Sequence, residues 1–316
     1  MMAVLLWGLP ADRPLADAHE ELLRLGVAPF LLDQRDLLDT EVVLRMGAGG
    51  MTGWLRVGGR RLPLRDVTAF YPRPYDSRRL PAVAAEGPAS PAWRHALAVE
   101  EALWTFAELT PALVVNRPSA MVGNNSKLWQ LEQIRAHGFL VPPTLATTSP
   151  DQVRAFWAEQ GELIFKSLSG VRSRVTRLRP DQAGRLDDVA WCPTQFQRRI
   201  KGRDHRVHVV GEQVFACEVR SEADDYRYAA HQSLADAELR AAELPAAVAR
   251  RCRTLAAAMG LLVAGIDLRR TPRGAWYCFE VNPSPAYSYY EQCTGQPICA
   301  AIARLLATGD RAAWSP

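Results

Sequence analysis

The sequence predicts a protein of the α/β class, with an α+β arrangement in its C-terminal part. The chain opens with a βαβ pattern: a short apolar strand at residues 3–7, an amphipathic helix at 14–25 and a second strand at 28–33. Such a unit forms a parallel sheet. Later in the chain, strands are separated by short turns at Gly211-Glu212 and at Pro272-Arg273-Gly274, which predicts two antiparallel hairpins.

The elements between these landmarks follow from periodicity and from helix or strand breakers. Gly58-Gly59 indicates a hairpin turn within a glycine-rich meander, and Pro72-Arg73-Pro74 is expected to end a strand over residues 67–71. The segment 195–200 is polar and predicts an edge strand. Helices are predicted over residues 92–110, 126–137 and 246–259, and strands over 163–167, 206–210, 214–219, 263–268 and 276–281.

Composition excludes several classes of protein. The chain has 316 residues, 48% of them hydrophobic and 23% charged, which is enough apolar material for a core and excludes global disorder. The net charge of +4 is the difference between 38 basic and 34 acidic residues and does not indicate nucleic-acid binding. No apolar run approaches the roughly 20 residues of a membrane-spanning helix. Six scattered cysteines without a C-x-x-C pair are typical of a reduced, cytoplasmic protein.

The second hairpin carries the strongest candidate site. Glu280 and Asn282 stand two residues apart on one strand, so their side chains leave the same face. A turn centred between Arg273 and Gly274 places Asp267 directly opposite Glu280, and opposed residues share a face. Two carboxylates and an amide oxygen form an oxygen-only ligand set that suits Mg²⁺. The alternative is that these are ordinary polar residues at strand ends, where a half-buried pair of carboxylates would be costly.

Lysine is scarce, which gives weight to the position of each one. Lys127, Lys166 and Lys201 are the three in the chain. Lys127 opens a helix, whose free N–H groups and dipole favour an anion. Lys166 ends an apolar strand directly before Ser167-Leu168-Ser169-Gly170, whose backbone amides could approach a phosphate. Taken alone, each lysine is more often a surface cation than a ligand.

Histidines and tyrosines form two further groups with open roles. His205 and His208 stand on either side of Arg206 and Val207, where proton transfer and a core or solvated position are both alternatives. Three tyrosines near the C-terminal end could line a substrate pocket or pack in the core. They are Tyr287, Tyr289 and Tyr290.

In their order along the chain, these motifs resemble those of the ATP-grasp superfamily of carboxylate ligases, and the resemblance covers nearly the whole sequence. The matching motifs are the first nucleotide-binding lysine with its helix, the second lysine strand, the adenine hinge with the D-x-R that follows it, and the metal-binding Asp with E-x-N. They lie at residues 125–144, 163–166, 196–206 and 265–283. The resemblance implies an ATP-grasp fold preceded by a small α/β pre-ATP-grasp domain.

Within the superfamily, the sequence is most similar to RimK-type ligases, and more narrowly to maturases of ribosomally made peptides of the graspetide or microviridin type. The narrower resemblance lies in the meander up to residues 70–74, the junction at 114–118 and the tail at 291–298. It implies three parts of the chain. They are a pre-ATP-grasp domain over 1–118, a central or lid subdomain over 119–194 and a C-terminal catalytic subdomain over 195–316.

The resemblance also implies roles for individual residues and a lid loop at residues 167–174 that orders over nucleotide. The metal ligands that it implies, for Mg²⁺ or alternatively Mn²⁺, are Asp267, Glu280 and Asn282. The residues that it implies for ATP binding are Lys127, Lys166, Gln197, Arg199, Ile200, Asp204 and Arg227. The catalytic residues that it implies are Arg227, Lys166 and Asn282.

Two segments depart from the family pattern. Arg198 stands where the hinge usually has Glu, and Pro283-Ser284-Pro285 replaces a glycine-containing stretch after E-x-N. The implied activity is ATP-dependent carboxylate–amine or carboxylate–hydroxyl ligation through an acylphosphate.

Three interpretations of the activity stay open. One is crosslinking of side chains within a ribosomal peptide, and another is addition of an amino acid to a peptide or small-molecule carboxylate. The third is a nucleotide-binding protein without turnover, which only Arg198 favours. The expected partner is a peptide or small-molecule carboxylate, with no nucleic acid and no membrane, and ligases of this resemblance are often homodimers.

Overall fold

The computed structural model describes residues 3–168, 175–221 and 237–309. None of the helices within these ranges is long and apolar enough to span a membrane. The strands are β1 (Ala3–Gly8), β2 (Phe30–Asp33), β3 (Glu41–Gly47), β4 (Gly50–Val57), β5 (Arg60–Pro63), β6 (Val67–Arg73), β7 (Leu113–Val114), β8 (Thr144–Thr147), β9 (Leu163–Ser167), β10 (Thr176–Arg177), β11 (Thr194–Arg198), β12 (Arg203–Val210), β13 (Gln213–Arg220), β14 (Glu238–Ala242), β15 (Val263–Arg270) and β16 (Trp276–Asn282). The α-helices are α1 (Arg13–Arg24), α2 (Pro81–Ala84), α3 (Pro91–Leu109), α4 (Pro118–Met121), α5 (Lys127–Ala136), α6 (Pro150–Gln160), α7 (Ala246–Ala258), α8 (Ser288–Thr294) and α9 (Ile298–Thr308).

The first sheet is parallel, with the strand order β2-β1-β6-β7, which confirms the opening βαβ prediction. Helix α1 packs on one face together with α9 from the far end of the chain, around Leu6, Leu22 and Ile302. Helix α3 and the antiparallel meander β3-β4-β5 cover the other face. Gly58 and Gly59 both have positive φ, which suits the tight hairpin turn between β4 and β5.

Strand β6 is longer than predicted. It runs through Pro72 to Arg73, where the sequence predicted an end at Tyr71. Strand β7 pairs with residues near the middle of β6 and does not reach Pro72, so among the described strands this end of β6 is paired with β1 alone. A proline is compatible with a strand where one side of the backbone has no ladder partner.

The second sheet is antiparallel, with the order β10-β9-β11-β8. Helix α6 and the 3₁₀ segment Pro180–Trp191 pack on one face, around Val153, Leu186 and Phe196. Strand β11 lies between β9 and β8, so the prediction of an edge strand at residues 195–200 was wrong. Its polar residues alternate with apolar ones because they occupy the second face of an interior strand. The predicted domain boundary between residues 194 and 195 falls inside β11.

The third sheet has the order β14-β13-β12-β15-β16 and contains both predicted hairpins. Helix α7 and part of α5 pack on one face, around Leu131, Cys252 and Ile266. Apolar and polar residues alternate along β12 and β15, so the opposite face carries a polar set. That polar face is the candidate site.

The six cysteines are all free, and their environments predict their reactivity. Two are exposed and four are buried. Burial raises the pKa of Cys217 to about 11 and those of Cys252 and Cys299 to about 12, and it raises the pKa of Cys278 well above its usual range. Because the thiolate is the reactive form, these four thiols should react roughly 100-fold more slowly, or slower still, than the exposed pair. The exposed thiols are Cys192 and Cys293.

A pulse of iodoacetamide at pH 8, followed by intact-mass measurement, checks this prediction. We expect two rapid additions in the native protein and six after unfolding in guanidinium. A third rapid addition without loss of structure would contradict the placement of one buried cysteine.

Candidate active site

The predicted metal residues converge on the polar face of the third sheet. Asp267 on β15 lies directly opposite Glu280 on β16, as the sequence predicted, and Asn282 lies opposite Gly265. Residues two apart on a strand share a face, so the two carboxylates and the amide lie on one side of the hairpin. The pairing of β15 with β16 therefore brings together side chains that are 15 residues apart at most.

The register arises differently from the prediction. Arg270 pairs with Trp276, which centres the turn on Arg273 rather than between Arg273 and Gly274. The register then shifts between Asp267 and Leu268, and Phe279 is the additional residue on β16. This β-bulge restores the predicted pairing at the site.

The guanidinium of Arg206 lies on the same face as the predicted metal residues. Arg206 on β12 lies opposite Asp267 and donates from Nη1 to its Oδ1 at 2.7 Å. Gly265 makes room for it, because a Cβ atom there would lie 2.1 Å from Arg206 Nη2. The Tyr290 ring lies 5.7 Å from the guanidinium carbon. The sequence placed Arg206 in the D-x-R motif and between the two histidines, but not at the metal site, because the pairing of β12 with β15 has no local signal in the sequence.

The donor set fits Mg²⁺. Asp267 has a second carboxylate oxygen beyond the one that Arg206 binds, and Glu280 has no basic partner among the described residues. Asn282 Oδ1 accepts a hydrogen bond from Ser284 N at 2.9 Å, which fixes the orientation of its amide. Facing carboxylates on a half-buried face are stabilised by a cation, and oxygen donors are those that Mg²⁺ prefers. Within the described ranges no group of three His, Cys, Asp or Glu side chains is placed to hold a metal ion, so the two carboxylates would act together with the amide of Asn282. Mg²⁺ in proteins commonly keeps further positions for water and substrate phosphates.

A second polar face lies on the second sheet. Lys166 is the second-last residue of β9, is only 8% exposed and lies opposite Gln195 on β11. Gln197, two residues further on, donates from Nε2 to Thr144 Oγ1 at 3.0 Å. Both polar atoms of the buried Gln195 carboxamide lack a hydrogen-bond partner among the described residues. A buried lysine beside such amides is typical of a site that binds an anion.

The predicted adenine hinge joins the two sheets. Arg199 donates to Glu162 at 3.0 Å, at the end of the segment nearer the second sheet. Arg269 holds the other end, because its Nη1 donates to Ile200 O at 2.7 Å. Its Nε and Nη2 donate to the two carboxylate oxygens of Asp204 at 2.6 and 2.8 Å. In this structure Arg199, which pairs with Glu162, and Arg269, which pairs with Asp204, therefore hold the two ends of the hinge.

The predicted residues that remain are Lys127, Arg227 and those of the lid loop. Lys127 is the first residue of α5, which Ser126 caps by accepting a hydrogen bond from Trp129 N at 3.4 Å. This places Lys127 at the positive end of a helix, as predicted. Arg227 and residues 169–174 of the predicted lid lie outside the described residues, so their roles stay predictions.

The two histidines of β12 point to opposite faces. Burial and the neighbouring charge of Arg206 lower the pKa of His208 well below its usual value. Burial also lowers the pKa of His205, whose ring lies 4.8 Å from that of Trp276. Both imidazoles are therefore neutral at pH 7 and pack against aromatic rings, which favours the core alternative for each.

Arg198, the departure from the hinge pattern, lies at the end of β11. It pairs with Leu163, whose side chain is in the core of the second sheet, while the neighbouring Gln197 faces the Lys166 side. Its Nη2 donates to the Tyr277 hydroxyl at 3.4 Å. Arg198 therefore does not add a positive charge to the face that carries Lys166.

The fold is that of the ATP-grasp proteins, a class of nucleotide-dependent ligases, as two comparisons with solved structures show. The chain superposes with a TM-score of 0.84 on a Chryseobacterium gregarium RiPP-associated ATP-grasp ligase in complex with ADP, a leader and a core peptide. The sequence identity is 20%, and the superposition covers 100% of this chain and 99% of that one. For the ATP-grasp ligase PsnB complexed with minimal precursor, Mg and ADP, the TM-score is 0.77 and the identity 26%, over 97% of this chain and 96% of that one.

Sequence relatives identify the family. A model of the RimK-like ATP-grasp domain matches residues 191–306. A probable alpha-L-glutamate ligase of Photobacterium profundum is 30% identical over 208 residues, 62% of this chain and 67% of that protein. Beta-citrylglutamate synthase B of Danio rerio is 25% identical over 206 residues, which are 60% of this chain. This chain spans about half of that protein's length (49%). The chain belongs to the RimK-like ATP-grasp family.

Proposed function

We propose that the protein is an ATP-dependent ligase that activates a carboxylate and joins it to an amine or a hydroxyl. The substrate carboxylate attacks the γ-phosphate of ATP, which yields an acylphosphate and ADP. An amine or hydroxyl then attacks the acyl carbon, phosphate leaves, and a proton is released as the amide or ester forms. The observation that carries the proposal is the convergence of Asp267, Glu280 and Asn282 on one face with Arg206.

The chain's residues would act mainly through charge and position. Asp267, Glu280 and Asn282 would hold Mg²⁺, which when bound supplies Lewis-acid polarisation of phosphate oxygens. Lys166, Lys127 and Arg227 would offset the remaining phosphate charge. The backbone of the hinge near Ile200, fixed by Arg269, would bind the adenine. No protein nucleophile is required, because phosphoryl transfer depends on positioning and electrostatic stabilisation.

A peptide is the proposed substrate, and ring closure between its own side chains is the proposed outcome. The support is the similarity over nearly the whole chain to ligases that bind precursor peptides, including PsnB at 26% identity. An internal Asp or Glu side chain would be joined to a Lys, Ser or Thr of the same peptide. We further propose a homodimer in a reducing cytoplasm, with neither nucleic acid nor a membrane as partner, and the three domains at residues 1–118, 119–194 and 195–316.

A second candidate is addition of an amino acid to a peptide or small-molecule carboxylate. Its support is the group of sequence relatives named probable alpha-L-glutamate ligases, of which one is 30% identical. The candidate without turnover rests on Arg198 alone, whose Nη2 donates to the Tyr277 hydroxyl and which adds no charge to the face that carries Lys166.

The decisive experiment measures the intact mass of a peptide substrate. The purified protein is incubated with ATP, Mg²⁺ and a short acidic peptide encoded beside its gene. Ring closure predicts the loss of one water, about 18 Da, for each bond and one ADP per bond formed. A gain of one amino-acid residue after glutamate is added would favour the second candidate.

The control is the same mixture with Glu280→Gln protein. An unchanged peptide with the wild-type protein, together with no ADP release for any carboxylate and amine pair supplied, would contradict the ligase proposal. Retained ring closure by the Glu280→Gln protein would contradict the metal assignment.

A further inference from the structure

The turn that follows strand β16 makes contacts that the proposed reaction does not explain. Pro283-Ser284-Pro285 directly follows Asn282, and Ser284 N donates to Asn282 Oδ1 at 2.9 Å. If the amide were flipped, Nδ2 would face this N–H group, donor against donor. The hydrogen bond from Ser284 N therefore fixes the orientation of the Asn282 amide, and with it the position of Oδ1.

Arg73, at the end of β6 in the first sheet, holds this turn from across the domain junction. Its Nη1 donates to Ser284 Oγ at 3.0 Å and to Pro285 O at 3.3 Å. Its Nε donates to Asp12 Oδ2 at 2.5 Å, so the guanidinium is anchored on one side and reaches the turn on the other. The side chain is only 9% exposed, which restricts it to this geometry.

Asn116 fixes the same turn at a second point. Its Nδ2 donates to Pro283 O at 2.5 Å and to Val263 O at 2.7 Å. Its Oδ1 accepts from Leu262 N at 2.8 Å and from Val263 N at 3.2 Å. Asn116 therefore ties the start of β15, which carries Asp267, to the end of β16, which carries Glu280 and Asn282.

We infer that Arg73 is a positioning residue for the divalent-cation site, acting through Ser284 on the amide of Asn282. The inference rests on the proposed function only in assigning Asn282 to the metal. Arg73 contacts none of the three proposed ligands itself. A guanidinium is needed because its Nε donates to Asp12 while its Nη1 donates to the turn at Ser284. Lysine keeps the charge but cannot make both contacts in this geometry.

The test measures metal binding directly. Mn²⁺ is titrated into the protein with saturating ADP, and bound ion is followed by electron paramagnetic resonance, which requires no turnover. Residues that orient metal ligands change metal affinity by about 10- to 100-fold when replaced. We therefore expect Arg73→Lys to weaken Mn²⁺ binding about 10-fold and Ser284→Ala, at an exposed position, to weaken it in the same direction.

The matched control is Arg78→Lys. Arg78 also pairs with an aspartate, Asp76, but it is exposed and has no contact with the turn. Its Mn²⁺ affinity should equal that of the wild type, and the melting temperature of all three variants is recorded. A role confined to joining the domains would lower the melting temperature of Arg73→Lys and leave the Mn²⁺ affinity unchanged.

The outcomes separate this inference from the proposed function. Mn²⁺ affinities of Arg73→Lys and Ser284→Ala within twofold of the wild type would overturn the inference. Absence of Mn²⁺ binding by the wild-type protein with ADP would overturn it too. Weakened Mn²⁺ binding in both variants, in a protein that ligates none of the substrates offered, would support the inference while the proposed function fails.

Discussion

Replacing Asp267 by Asn, or Glu280 by Gln, should lower the rate of ADP formation by roughly 1000-fold or more. Each change removes one of the two carboxylates that face each other across the β15–β16 hairpin. Metal-ion stabilisation of charge on a transferring phosphoryl group is worth several kcal/mol, and about 1.4 kcal/mol corresponds to a tenfold change in rate. The isosteric amides keep the shape of the site, so the loss would report on charge.

The two variants should differ in stability. Asp267→Asn weakens the 2.7 Å contact with the buried Arg206, so the free energy of unfolding of this variant should fall by about 1 to 3 kcal/mol. The loss is smaller than for a fully buried pair because Asp267 is partly exposed. Glu280→Gln removes a like charge from the face without taking a partner from a described basic residue. Without metal, its melting temperature should equal or exceed that of the wild type.

Steady-state ADP release and thermal melting with and without Mg²⁺ and ADP check both expectations. The matched control is Asp151→Asn, whose carboxylate is 91% exposed on α6 and should leave both measurements unchanged. The rise in melting temperature caused by Mg²⁺ with ADP should disappear in Glu280→Gln. Wild-type turnover in either site variant would show that the metal is held elsewhere.

The sequence was sufficient for the parts of the site that local patterns encode. Strand β9 has the predicted bounds, with Lys166 near its end, because an apolar run followed by small residues defines a strand end. The opposition of Asp267 and Glu280 was also predicted, although the tighter turn and the bulge at Phe279 each shift the register by one residue and cancel. A β-bulge has no recognisable sequence pattern, so a register counted outward from the turn cannot include it.

The remaining parts of the site depend on contacts between distant strands and domains. Strand β11 was predicted as an edge because its alternating polar residues resemble a solvent-facing side, whereas Gln195 and Gln197 are buried on the face that carries Lys166. Arg206 meets Asp267 across 61 positions, and Arg73 meets Ser284 across 211. Separations of this size have no periodicity, so only the fold itself reveals them.

Replacing Lys166 by Met should reduce kcat/KM for ATP by about 100- to 1000-fold, the range found when one preorganised donor to a developing negative charge is removed. Met has nearly the volume and length of the lysine side chain, so the packing of β9 against β11 should persist. The loss should therefore appear in ATP binding and in the rate of ADP formation, while the melting temperature of the free protein stays near that of the wild type.

Arg78→Met is the control for this change, since Arg78 is a cation that is 59% exposed and lies 2.8 Å from Asp76 on the surface. Exposed ion pairs contribute about 0 to 1 kcal/mol, so this variant should change kcat/KM less than about threefold. The comparison separates a buried lysine that binds phosphate from one that only adds to the overall positive charge. Equal losses in the two variants would mean that net charge attracts ATP and that the Lys166 face is not the phosphate site.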